Sequence, residues 1–96
     1  MDVLVAIDAE NLKDEAAFVR HLVEEGFEEI PEEEGLVFTG VSSTPVMHTR
    51  AYILEVLTKA LERSPASLCN FVCQIGENPF ESYRFSHEKG MFIEVE

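Results

Sequence analysis

Ile53, Val56, Leu57, Ala60 and Leu61 fall at i, i+3, i+4, i+7 and i+8, which places one apolar stripe along one side of a helix. A helix patterned this way holds together only when that side lies on an apolar surface supplied by the rest of the chain. In 96 residues there is room for one core between two layers, so residues 1–96 read as a single domain. Strands supply the second layer. Val3 to Ile7 is a continuous run of β-branched and small apolar residues, the pattern of a central strand or one covered on both faces. Leu36 to Ser42 reads as another strand, with Gly40 as a bulge or close-approach point. From Leu68 to Ile75, the residues Cys69, Phe71, Cys73 and Ile75 share one face. Phe80 to Phe85 and Met91 to Val95 add two strands around the turn Ser86 to Gly90.

The remaining helix follows the first strand, where Leu12, Ala16, Val19 and Val23, with Phe18 and Leu22, recur at helical spacing. Asn11 reads as its N-cap and Gly26 as the residue just past its end. For the second helix, Thr44 reads as N-cap and Pro45 as the first helical residue, with the end near Arg63 and Ser64 before Pro65. The order β-α-β-α-β-β-β predicts an α+β, ferredoxin-like two-layer sandwich. Its two helices pack on one face of a four- to five-stranded, mostly antiparallel sheet, and the first β-α-β unit turns right-handed. The predicted core is Val5, Ile7, Val19, Leu22, Ile53, Leu57, Leu61, Phe71 and Cys73.

Charge then narrows the function. Seven Lys and Arg face nineteen Asp and Glu, a formal charge of −12, and most of the excess acid lies in residues 1–48. Such a surface repels phosphate backbones, so direct binding of nucleic acid is disfavoured unless divalent cations intervene. The acid is densest at Glu24, Glu25, Glu28, Glu29, Glu32, Glu33 and Glu34, an exposed connection whose Phe27 and Ile30 dip back to the core. That run lacks the alternating spacing that wraps a calcium ion, and reads as a solvated acidic face able to steer a basic protein partner. No stretch approaches the ~20 apolar residues of a membrane span. Met1-Asp2 leads into the first strand without a basic leader, so the reading is cytoplasmic, with no membrane contact.

Cys69 and Cys73, about 13 Å apart along a strand, are beyond disulfide reach and read as buried free thiols. His21, His48 and His87 have no ligand spacing and read as surface residues. The five glycines are isolated, which excludes a glycine-rich phosphate loop, and no cofactor is expected. One candidate anion site remains at the start of the second helix, where Ser43 and Thr44 meet the helix N-terminus with His48 and Arg50 one turn on; the alternative is that Thr44 only caps the helix.

Three segments carry a resemblance: Val5-Ala6-Ile7-Asp8 closing the first strand, Glu25-Gly26-Phe27 closing the first helix, and Phe38-Thr39-Gly40-Val41-Ser42-Ser43-Thr44 running into the second. In these the chain resembles small ferredoxin-like ribonuclease and antitoxin proteins of the CRISPR-adaptation, VapD and GhoS types. The resemblance implies a homodimer in a toxin–antitoxin or phage- and CRISPR-related setting. In the CRISPR branch it also implies a divalent metal, Mg2+ or Mn2+, held at the acid that maps onto Asp8. Where that branch has basic residues, this chain reads Ala9-Glu10-Asn11. On the residues alone, Asp8 reads as a cap on the turn into the first helix. Two functions are open: an acidic regulator of a basic protein, and a metal-dependent endoribonuclease acting as a homodimer through Asp8. The terminal strand, through Phe92, is the expected edge for pairing with a second copy.

Overall fold

The computed structural model describes residues 1–31 and 35–95. Along the chain run β1 (Asp2–Glu10), α1 (Glu15–Glu24), β2 (Glu28–Glu29), β3 (Leu36–Val41), α2 (Val46–Arg63), β4 (Leu68–Ile75), β5 (Glu81–Ser86) and β6 (Met91–Glu94). The fold is α+β, with both helices against one face of a six-stranded antiparallel sheet in the order β2-β3-β1-β4-β5-β6. Six strands replace the expected four or five, because Glu28 and Glu29, read as part of a connection, pair with Thr39 and Phe38. Since every neighbouring pair is antiparallel, β1 and β2 run parallel with β3 between them, and β3 and β4 run parallel with β1 between them. Each helix therefore spans a split β-α-β unit, and the two units interlock through β1 and β3.

β1 is central, yet it is covered on one face only. Val3, Val5 and Ile7 are buried while Leu4, Ala6 and Asp8 are exposed, a strict period of two. The sheet's inner face adds Phe38, Cys69, Phe71, Cys73 and Ile75, and α2 returns Ile53, Val56, Leu57, Ala60 and Leu61 against it. Of the nine predicted core residues, eight are buried and Val19 is half-buried.

The predicted helix caps both move. Asp14, not Asn11, is the N-cap of α1, accepting from the Ala17 N–H at 3.1 Å. Asn11 instead sits at φ 55° and donates from its amide to Ser67 Oγ at 2.8 Å. The same crossing carries Lys13 N–H to the Pro65 carbonyl and Asp14 N–H to Ser64 Oγ, both at 2.8 Å. This lashing of residues 11–14 to 64–67 fixes where α1 starts, a long-range constraint that local capping preferences do not contain. Pro45, not Thr44, is the N-cap of α2, and no side chain caps that helix. Gly40 stays in ladder register opposite Val3; its missing Cβ lets the Phe27 ring approach, since a methyl there would sit 3.4 Å from it.

Two further expectations are corrected. His21 is buried at 3% exposure, because the buried stripe of α1 runs through Phe18, His21 and Leu22 and leaves Val23 half exposed. Phe92 is no free edge residue: it is 7% exposed and meets Phe71 and Phe85 edge-on at 4.9 and 5.1 Å between ring centroids. Phe92→Ala should cost about 3–4 kcal/mol of stability. Urea unfolding should show this as a lower midpoint at unchanged slope.

Candidate functional site

At the end of the sandwich where α1 stops and α2 begins lies a pocket of about 410 Å³. Val3, Phe27 and Ile53 form its apolar wall, the Val41-Ser42-Ser43-Thr44 segment runs along it, and Glu25, His48 and Tyr52 line the rest. Local chemistry places each of them. Gly26, at φ 102°, ends α1 with a left-handed residue and turns the chain so that Phe27 drops into the core beside Gly40. Tyr52 stacks on Phe27, with ring centroids 6.5 Å apart and planes 15° off parallel. The Tyr52 hydroxyl lies 2.8 Å from both the carboxylate and the carbonyl oxygen of Glu25. Burial, and then the hydrogen bond to Glu25, raise the Tyr52 hydroxyl above its usual range, so it stays a donor that holds Glu25 in place.

Three hydroxyls close a ring at the pocket's floor. Ser42 Oγ lies 2.6 Å from Thr49 Oγ1 and 3.0 Å from Thr44 Oγ1, and the two threonine oxygens are 2.9 Å apart. With the Thr44 carbonyl 3.4 Å from Thr49 Oγ1 as a further acceptor, these donors are used within the segment itself. The expected anion site is therefore altered. Ser43, Thr44 and His48 do line one pocket, but the Glu25 carboxylate shares it and disfavours an anion. Arg50 lies elsewhere, its Nε donating to Glu81 Oε1 at 2.6 Å and its Nη2 to Glu81 Oε2 at 3.0 Å. This two-point pairing ties Nε and Nη2 to a half-buried carboxylate of the same chain, which offsets the positive charge an anion would have met. Glu81 is the group the sequence reading missed; its only signal is a position inside a strand that faces the helix layer.

Asp8 is an exposed mid-ladder residue opposite Asn70, because β1 runs two residues further than expected; it therefore caps no helix. Among the described residues no three His, Cys, Asp or Glu side chains gather as metal ligands. His48 and His87 are exposed, and the Cys69 and Cys73 thiols are buried and pushed up to about 11, chiefly by burial. Of the acidic run, Glu24, Glu25, Glu28 and Glu29 are all exposed, while Glu32, Glu33 and Glu34 lie outside the described residues. Among the described residues the ion pairs are Arg50–Glu81 and Lys59–Glu55, so none of those four carboxylates has a cation of its own chain bound to it. No helix of the described residues is long and apolar enough to cross a membrane. Against known proteins, the chain matches no family model, no curated protein and no solved structure.

The Arg50 hydrogen bonds hold the Glu81 carboxyl below the usual carboxylate range, and Tyr83 donates a further bond to it at 2.6 Å. A folded-state value below the unfolded one gives stability that is present above about pH 4.3 and is lost as pH falls through the depressed folded value. Glu81→Gln should therefore lower stability at neutral pH by about 1–2 kcal/mol and weaken its fall on acidification. Urea midpoints followed from neutral pH down to about pH 3 measure both.

Proposed function

We propose that the protein is a ferredoxin-like, non-catalytic acidic module that regulates a basic protein partner by binding it along the rim formed by Glu24, Glu25, Glu28 and Glu29. The observation that carries this reading is that all four carboxylates are exposed and free of ion pairs beside a pocket with an apolar wall. A Lys or Arg side chain suits that arrangement: its aliphatic stem lies against Val3, Phe27 and Ile53 while its charge meets Glu25. The negative end of the α1 dipole adds to the field there. Glu28 and Glu29 lie on the outermost strand, whose outer edge pairs with no other strand among the described residues. The strand order β2-β3-β1-β4, with its two interlocked split units, supports the ferredoxin-like assignment. The hydroxyl ring, whose side-chain partners among the described residues are its own three members, supports the non-catalytic one.

A synthetic Lys-rich peptide serves as the probe. Replacing Glu24, Glu25, Glu28 and Glu29 by Gln should weaken its binding by roughly tenfold or more at low salt and flatten the salt dependence. A control with Glu10, Glu62, Glu77 and Glu88 changed to Gln, the same loss of four exposed charges, should have a smaller effect. Equal effects from the two sets would reduce the binding to net charge and sink the rim. Magnesium-dependent RNA cleavage that disappears in Asp8→Asn would replace this reading with the endoribonuclease.

A further inference from the structure

The face of the sheet turned away from the helices has no covering layer among the described residues, and its middle is apolar. Leu4 and Val72 keep 37% and 38% exposure there, with the small Ala6 between them, and Ile93 keeps 37% on the terminal strand. Across this face the register aligns Asp8 on β1, Asn70 on β4 and Arg84 on β5 in one row. Asp8 and Arg84 are exposed, stand two strand spacings apart at about 10 Å, and form no ion pair within the chain. Asn70, between them, has a carboxamide oxygen that is buried and has no hydrogen-bond partner.

An acid and a base equidistant from a neutral centre make a pattern that complements itself under two-fold rotation. We propose that this face binds a second copy of the chain, sheet on sheet, about a two-fold axis running along β4. That axis seats Asp8 against the partner subunit's Arg84 and brings Val72 against the partner subunit's Val72. The central Asn70 meets its own copy, and an amide can donate to and accept from an identical amide once its terminal group turns outward. Isologous contact of this kind needs no second surface. About this axis five strands, β3, β1, β4, β5 and β6, face the partner; about 4.8 Å apart and crossing roughly 20 Å of face on average, they offer on the order of 500 Å² per subunit. The total, about 1,000 Å², is near the lower limit for a specific interface. This contact is independent of the acidic rim, which lies at the β2 edge, and of the expected pairing through Phe92, which is core.

Sedimentation equilibrium of the full chain at physiological salt, from about 1 to 300 μM, reads the association directly. The wild type should dimerise. Arg84→Glu and Asp8→Arg should each weaken the dimer by tenfold or more, and the combined swap should restore it to within a few-fold of the wild type. Asp8→Arg is the sharper arm, because it lowers the chain's net negative charge and generic repulsion alone would make it dimerise better. Circular dichroism checks that each variant folds; if one does not, Val72→Arg, which sets like charges together on the axis, must break the same dimer. A wild type that stays monomeric, single variants that dimerise as well as the wild type, or a swap that fails to rescue would each overturn the proposal.

Discussion

Everything in this molecule hangs on β1 being hydrogen-bonded along both edges while only one of its faces is buried. Val3, Val5 and Ile7 point to the helices, and the flanking ladders to β3 and β4 carry that inward direction across the sheet to Phe38, Phe71 and Cys73. A slip of one residue in either ladder would turn all of these outward, so the register is held by the whole core at once. The same strict alternation forces Leu4, Ala6 and Asp8 onto the opposite face. Among the described residues both helices lie on the first face, and no element covers the second.

The two ends of the sandwich are closed differently, and this decides where a ligand can enter. At one end, residues 11–14 are bound to residues 64–67 through Asn11, Lys13, Asp14, Ser64 and Ser67, and Ser64 is wholly buried. Backbone groups there are satisfied within the chain, leaving little to offer a partner. At the other end, α1 stops at Gly26 before α2 has begun, and the gap between their termini is the pocket beside Glu25. Tyr52 bridges that gap by holding Glu25, and Phe27 fills its base.

Much of this architecture was readable from the residues. The stripe from Ile53 to Leu61, the inward face of β4 and its bounds, and the end of α2 at Arg63 follow from periodicity, because each is a local pattern imposed by one apolar neighbour. What periodicity does not carry is competition over long distance. Asn11 is a sound cap by type, but Ser67, far along the chain, claims its amide. Arg50 looks available beside His48, yet Glu81, 31 residues on, claims its Nε and Nη2. His21 is polar by type and still lies in the helix interface, since the neighbouring Phe18 and Leu22 set the orientation of α1. The acidic rim was visible as composition; that Glu28 and Glu29 form an edge strand was not, because two charged residues carry no strand signal.

The high charge of the chain bears on how the uncovered face and the acidic rim can coexist. A two-fold axis along β4 would leave the β2 edges of the two subunits on opposite sides of the dimer, since β2 is the strand farthest from that axis on its side of the sheet. Three strand spacings on each side separate the two rims by about 29 Å. At physiological salt the screening length is about 8 Å, so the rims would scarcely feel each other. Of the charges on that face, Asp8 and Arg84 would be seated in attracting pairs, while Asp2 and Glu10 stand further along β1. A chain of charge −12 can therefore associate with itself without neutralising its rim, because the acid and the self-complementary face occupy different parts of the same sheet.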